Sequence, residues 1–161
     1  MNTSEITGTM TTLLSELVDG APEAGAFMLN PGDPGLLRSL DQLSAEAASA
    51  SSDGGATIAA HVDHLRYGLS LMNRWTAGEN PFTDADWSQS WRTTSVSEAE
   101  WEQLRAGLRD EAHRWLAALG SPREVRDIEL NGVLGSIAHL AYHLGSIRQI
   151  DRTTRGPRAN D

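Results

Sequence analysis

The chain contains no cysteine. Disulfides, thiolate metal ligands and a cysteine nucleophile are therefore excluded, and any metal must be held by histidine, carboxylate or water. Lysine is absent as well, since all 13 basic residues are arginine, which rules out a Schiff-base lysine. No run of about 18 uncharged apolar residues occurs, so no transmembrane helix is expected. The opening "MNTSEITGTM" carries Glu5 and no basic residue, unlike a signal peptide with its positive start and apolar stretch. A cytoplasmic location is the expectation. Positive charge is scarce: the formal net charge is −9, and no basic stripe interrupts it. Nucleic acids and anionic membranes are not expected as partners.

What is present suits a globular protein. The 161 residues, 39% of them hydrophobic, are enough for one domain with a buried core. Four long helical stretches stand out. The first covers residues 4–18, with Met10, Leu13, Leu14, Leu17 and Val18 at helical spacing, and "DGAP" ends it. After the turn "NPGDPG", the stretch "LLRSLDQLSAEAASA" reads as a short helix, and "SSDGG" at 51–55 breaks the chain again. The second long helix runs over residues 57–75, with Thr57 as N-cap and Ile58, Val62, Leu65, Leu69 and Met72 as its apolar stripe. A long loop follows, in which Trp87 and Trp91 are expected to fold back onto the helices. Ser97 and Glu100 form a capping-box pattern at the start of the third helix. Its inner face is Trp101, Leu104, Leu108, Ala112, Trp115 and Leu119, and Gly120-Ser121-Pro122 stops it. The fourth helix spans residues 130–150. No strand and no repeat is apparent. The expected fold is all-α: an antiparallel four-helix bundle over residues 1–151, with a short extra helix between the first two long ones. Residues 152–161 read as a disordered tail.

Histidine carries the chemistry. "HLAYH" puts His139 and His143 four residues apart on one face of the fourth helix. At roughly 100° per residue they flank the apolar stripe at roughly 90–130° from its centre. On the second helix His64 sits at a similar offset, and His61 lies nearer the middle of the stripe. Imidazoles at i and i+4 can reach one ion at about 2.0–2.1 Å, and a third from a neighbouring helix completes a three-nitrogen site with an open position. Spacing alone leaves both His61 and His64 open as that third ligand. The ordinary alternative is a set of hydrogen-bonded core histidines. Leu140 stands where a zincin has its glutamate base, so metalloprotease chemistry is not expected.

The stretches "ATIAAHVDHLRYGL" (56–69) and "GSIAHLAYHLGSIRQI" (135–150), with the tryptophan loop between them, resemble the DinB-like superfamily, also described as YfiT-like or thiol S-transferase-like metalloenzymes. The resemblance runs from the first helix to about Ile150. It implies a four-helix bundle with a divalent metal on three histidines. One comes from a Thr/Ser-Ile-x-x-x-x-x-His-Leu/Ile stretch, matched by Thr57, Ile58, His64 and Leu65. Two come from His-x-x-x-His with a glycine two residues on, matched by His139, His143 and Gly145. The implied metal ligands are thus His64, His139 and His143, with His61 lining the cavity or bonding to a neighbour. A glutamine often found three residues after the last histidine is replaced here by Ser146, and Gln149 lies on another face. This departure concerns substrate contacts.

Imidazole suits zinc or nickel. The resemblance implies a small-molecule thiol as partner, transferred or used as a cofactor, and a possible homodimer. A metal-dependent hydrolase fits the same ligands, as does a non-catalytic metal-binding or stress-response module. The remaining residues carry plainer expectations. His113 lies roughly 120° off the apolar face of the third helix and reads as a surface residue. Arg148 reads as an end-of-helix cation with its stem packed and its head in water. Trp75, Trp87 and Trp91 are candidates to roof a metal pocket. Asp63 and the acidic residues at 84–86 read as solvated charges.

Overall fold

The structure, a computed structural model, describes residues 3–51, 54–121 and 127–158. Within them it is helical, with no strand among the described residues. Six α-helices occur among the described residues: α1 (Thr3–Asp19), α2 (Gly35–Leu40), α3 (Ala45–Ser49), α4 (Ile58–Thr76), α5 (Glu98–Gly120) and α6 (Asp127–Ile150). Short 3-10 turns lie at Gln89–Trp91 and Arg152–Thr154. Among these residues no helix is long and apolar enough to cross a membrane.

The long helices follow their apolar periodicity. Leu14, Leu17 and Val18 of α1, Ile58, Val62 and Leu65 of α4, Trp101, Leu108 and Trp115 of α5, and Ile137, Leu140 and Ile147 of α6 are all buried in one continuous cluster. Helix α4 packs on both α5 and α6, and α1 packs on the same two. The Trp115 indole N–H donates to the Ser136 hydroxyl at 3.0 Å, tying α5 to α6, and Trp101 donates to the Leu43 carbonyl at 2.8 Å. Both buried tryptophans thereby place their polar atom on a partner.

Helix starts obey their caps. Thr57 accepts from the Ala60 amide at 3.2 Å. Ser97 and Glu100 form both halves of the capping box, with the Ser97 amide donating to the Glu100 carboxylate at 2.8 Å. The single short helix expected after the first turn is in fact two. Ser44 caps a new start by accepting from the Ala47 amide. Asp41, at the end of α2, turns outward to bind Arg105 and Arg109 of α5. Gly35 opens α2 at φ +69°, where a Cβ would strike the Gly20 backbone, so two chain segments meet there without a side chain. Helix α6 begins at Asp127, three residues earlier than expected. Pro122, read as part of the α5 stop, lies outside the described residues; Ser121 is the C-cap of that helix.

Two expectations need correction. The head of Arg148 is not in water: it donates to Asp33 at 2.6 Å, and that carboxylate is itself buried. Residues 152–158 are not a loose tail. Thr154 is buried, Asn30 donates to the Pro157 carbonyl at 2.7 Å, and a Cβ on Gly156 would overlap the Asp33 carboxylate. The same acidic residue thus anchors both the end of α6 and the segment after it. Residues 159–161 lie outside the described residues.

Candidate metal centre

In its N-terminal half, α4 faces α6 with imidazoles, His61 and His64, instead of aliphatic groups. The Nε2 atom of His139 lies 3.1 Å from Nε2 of His64 and 2.9 Å from Nε2 of His143. The ligand atoms of these three residues all fall within 4.8 Å of one another. His64 and His143 are buried, and His139 is half-buried. The cluster expected from spacing and resemblance is therefore brought together from helices 75 residues apart in sequence between His64 and His139.

The outer ring nitrogens are held in turn. His64 Nδ1 is 2.9 Å from the Ser90 hydroxyl, and that hydroxyl donates to the Trp87 carbonyl at 2.9 Å. With its one proton used there, Ser90 accepts from His64 Nδ1–H. This network assigns His64 the tautomer whose Nε2 carries a lone pair. His143 Nδ1 lies 2.7 Å from Nδ1 of His61. When His143 donates along that contact, its Nε2 lone pair also points into the cluster. His61 is therefore a hydrogen-bond neighbour of a cluster member through its Nδ1.

Burial sets the charge state. It pushes His143 down to about 3 and His64 down to about 4, and the neighbouring imidazoles add to both effects. Burial lowers His61 and His139 as well. All four are neutral at pH 7, the form that ligates metal. Neutral imidazoles alone satisfy this geometry poorly. A single N–H on His139 cannot serve both facing lone pairs, whereas a cation between three Nε2 atoms does. Nitrogens at about 2.0–2.1 Å from a tetrahedral ion stand about 3.3 Å apart, so the 3.1 and 2.9 Å spacings to His139 need adjustments of only a few tenths of an ångström, and the third pair lies within 4.8 Å. The residues present fit a divalent cation.

Aromatic rings wall the site. Trp91 stacks on His64 with centroids 4.3 Å apart and an interplanar angle of 25°, and its edge contact with His61 is at 5.4 Å. Trp87 leans on His64 at 5.7 Å and on Tyr67 at 5.6 Å. Both tryptophans do fold back, but only with one face: they remain 43% (Trp87) and 37% (Trp91) exposed. Trp75 is not part of this wall and packs on Phe82. Beyond His139 an apolar cavity of about 290 Å³ lies between α4 and α6.

The other candidates fall elsewhere. His113 is exposed and pairs with Asp19 at 2.8 Å. Asp63 is not a free solvated charge, because it binds Arg66 and accepts from Thr93 at 2.6 Å. Asp86 is exposed and holds the Ser88 amide and hydroxyl. The Ser146 hydroxyl donates to the Tyr142 carbonyl, and Gln149 accepts from Arg155. Sequence reasoning missed Ser90. It sits in an aperiodic loop, and only the pair of tryptophans around it hinted that this loop returns to the helices.

No protein-family model, curated protein or solved structure matches the chain.

Proposed function

We propose that the chain is a DinB-like metalloenzyme, its four long helices forming an antiparallel bundle around a divalent ion, zinc or nickel, held by His64, His139 and His143. The observation that carries this reading is the convergence of three neutral Nε2 atoms, with His64 and His143 each hydrogen-bonded from behind through Nδ1. The proposed reaction is transfer of a low-molecular-weight thiol to an electrophile. The bound ion supplies Lewis acidity that favours the deprotonated form of a coordinating thiol. The chain supplies the rest. Ser90 and His61 hold the two buried imidazoles in register, Trp91 blocks rotation of His64, and the tryptophan wall limits water. With no cysteine in the sequence, the sulfur nucleophile comes with the co-substrate. A net charge of −9 gives anionic ligands no long-range attraction, so their affinity depends on direct coordination.

Calorimetry of the zinc and nickel forms with cysteine, bacillithiol and mycothiol tests this reading. Binding is expected to the loaded protein and to be absent from the metal-free protein. Equal binding to both forms would remove the ion from the mechanism. No binding of any thiol would shift the assignment to a metal-dependent hydrolase or a non-catalytic module. The homodimer belongs to the same proposal, and light scattering of the purified chain decides it.

A further inference from the structure

The cavity beside His139 has a chemistry of its own. Its walls come from Leu65, Leu69 and Met72 of α4, Leu140 of α6, and Phe82 and Trp87 of the loop. Three glycines, Gly68, Gly132 and Gly135, also line it, and a Cβ on Gly68 would stand 3.5 Å from Trp87 across it. Among the described residues no charged side chain lines it; besides His139, the polar contributor among them is Ser136. The Ser136 hydroxyl is already committed, accepting from Trp115 and donating to the Val133 carbonyl. The volume of about 290 Å³ is roughly twice the ~150 Å³ of an apolar cavity that admits benzene. One wall is shared with the metal cluster: His139 belongs to both, and its Cε1 lies 4.0 Å from where a Cβ on Gly68 would stand.

We propose that this cavity binds an uncharged apolar group of the electrophilic substrate, an aromatic ring or a branched alkyl chain, and so places its reactive end at His139. That the apolar group belongs to an electrophilic substrate rests on the metal-enzyme reading, but the binding site itself does not depend on a bound ion. A charged group would be desolvated there without a partner. An apolar group gains by leaving water against the Leu, Met, Phe and Trp walls. Specificity is thereby divided: the histidines select the coordinating group, and the cavity selects an uncharged, ring-sized substituent.

Gly135 offers a clean test. It lines the cavity, and a Cβ there meets nothing within 4 Å, so a larger side chain can be placed at this wall without striking the helices. Gly68→Ala encroaches from the opposite wall, with its nearest contact to Trp87 an ordinary 3.5 Å. The probe is N-phenyl-1-naphthylamine, an uncharged fluorescent aromatic, titrated into zinc-loaded and metal-free full-length protein. Saturable binding to both forms is expected. Gly135→Leu should weaken it by about tenfold or more, and Gly68→Ala by about two- to threefold. Zinc stoichiometry should stay as in the parent protein, and the unfolding midpoint should not fall, because replacing a glycine inside a helix removes a propensity cost. In the parent complex, nuclear Overhauser contacts are expected between the probe's ring protons and the His139 ring. Undiminished binding in folded Gly68→Ala and Gly135→Leu, or probe contacts far from His139, would overturn the assignment. If Gly135→Leu does not fold, Gly68→Ala and the Overhauser contacts decide it alone. Failure of the parent protein to take up zinc, with probe binding intact, would remove the metal reading and leave the cavity assignment standing.

Discussion

His64, His139 and His143 differ from the two remaining histidines in bringing their Nε2 atoms together. His64 and His143 are each held from behind, by Ser90 and by His61. Replacing any of the three by Ala should remove most of the zinc affinity, whereas His113→Ala, on an exposed residue paired with Asp19, should leave it unchanged; a competition titration with a chromogenic chelator reads both. His61→Phe keeps a ring against Trp91 but removes the acceptor for His143. A loss of about 10–100-fold in zinc affinity is expected, with an unchanged helical circular dichroism spectrum. No loss would make His61 a packing residue. If His61→Ala abolishes binding and His64→Ala leaves it intact, the ligand assignment on α4 is wrong. At this scale the i, i+4 pair on α6 was legible, because spacing alone puts both rings on one face. The choice between His61 and His64 was not, since both are buried on a helix whose N-terminal half is enclosed nearly all round. Ser90 was illegible for a different reason: a hydroxyl in a loop has no period to read. Arg148 misled because a cation near a helix end normally lies in water, and its buried partner Asp33 is distant in sequence. Arg148→Ala, which strands that carboxylate, should cost about 3–5 kcal/mol in urea unfolding.

Helices were the most legible level. The apolar stripes read on α1, α4 and α5 pack into or against the core as their spacing requires, and Thr57 and Ser97 cap where the sequence places them. Ser97→Ala should destabilise the protein by about 1 kcal/mol, measured as a shift of the urea midpoint at constant slope; a neutral effect would mean that the first turn of α5 is held by tertiary contacts. What spacing could not show is how short elements divide. The break between α2 and α3 comes from Asp41 binding two arginines of α5 and from Ser44 capping anew, and the first of these is a tertiary contact. Between α1 and α2, Glu16 plays a related part. Burial raises its pKa, but backbone amides of Leu29, Phe27 and Met28 outweigh that and hold it below the usual carboxylate range. A glutamate inside an apolar stripe thus organises the loop after its own helix, through partners 11–13 residues away.

Across the whole molecule, the cluster of neutral imidazoles links folding to pH. The unfolded chain protonates histidine near 6.5, while His64 and His143 resist protonation down to about 4 and about 3. Below about 6.5 the unfolded state therefore binds more protons, and stability falls as pH falls. The metal-free protein should show a flat unfolding midpoint from pH 8 to 7 and a decline between pH 6.5 and 5, above the range where most carboxylates titrate. A flat profile through that window would show that the imidazoles are not buried as described. Bound metal should raise the midpoint at pH 7, because it binds the folded state preferentially, and protons should weaken that gain on acidification. The central claim is that three histidines from two helices make one divalent-cation site. Elemental analysis of untagged protein, reconstituted with zinc or nickel and freed of excess by gel filtration, tests it most directly. The account predicts about one equivalent per chain in the parent protein and near zero in His143→Ala. Less than about a tenth of an equivalent of either metal in correctly folded parent protein would contradict it.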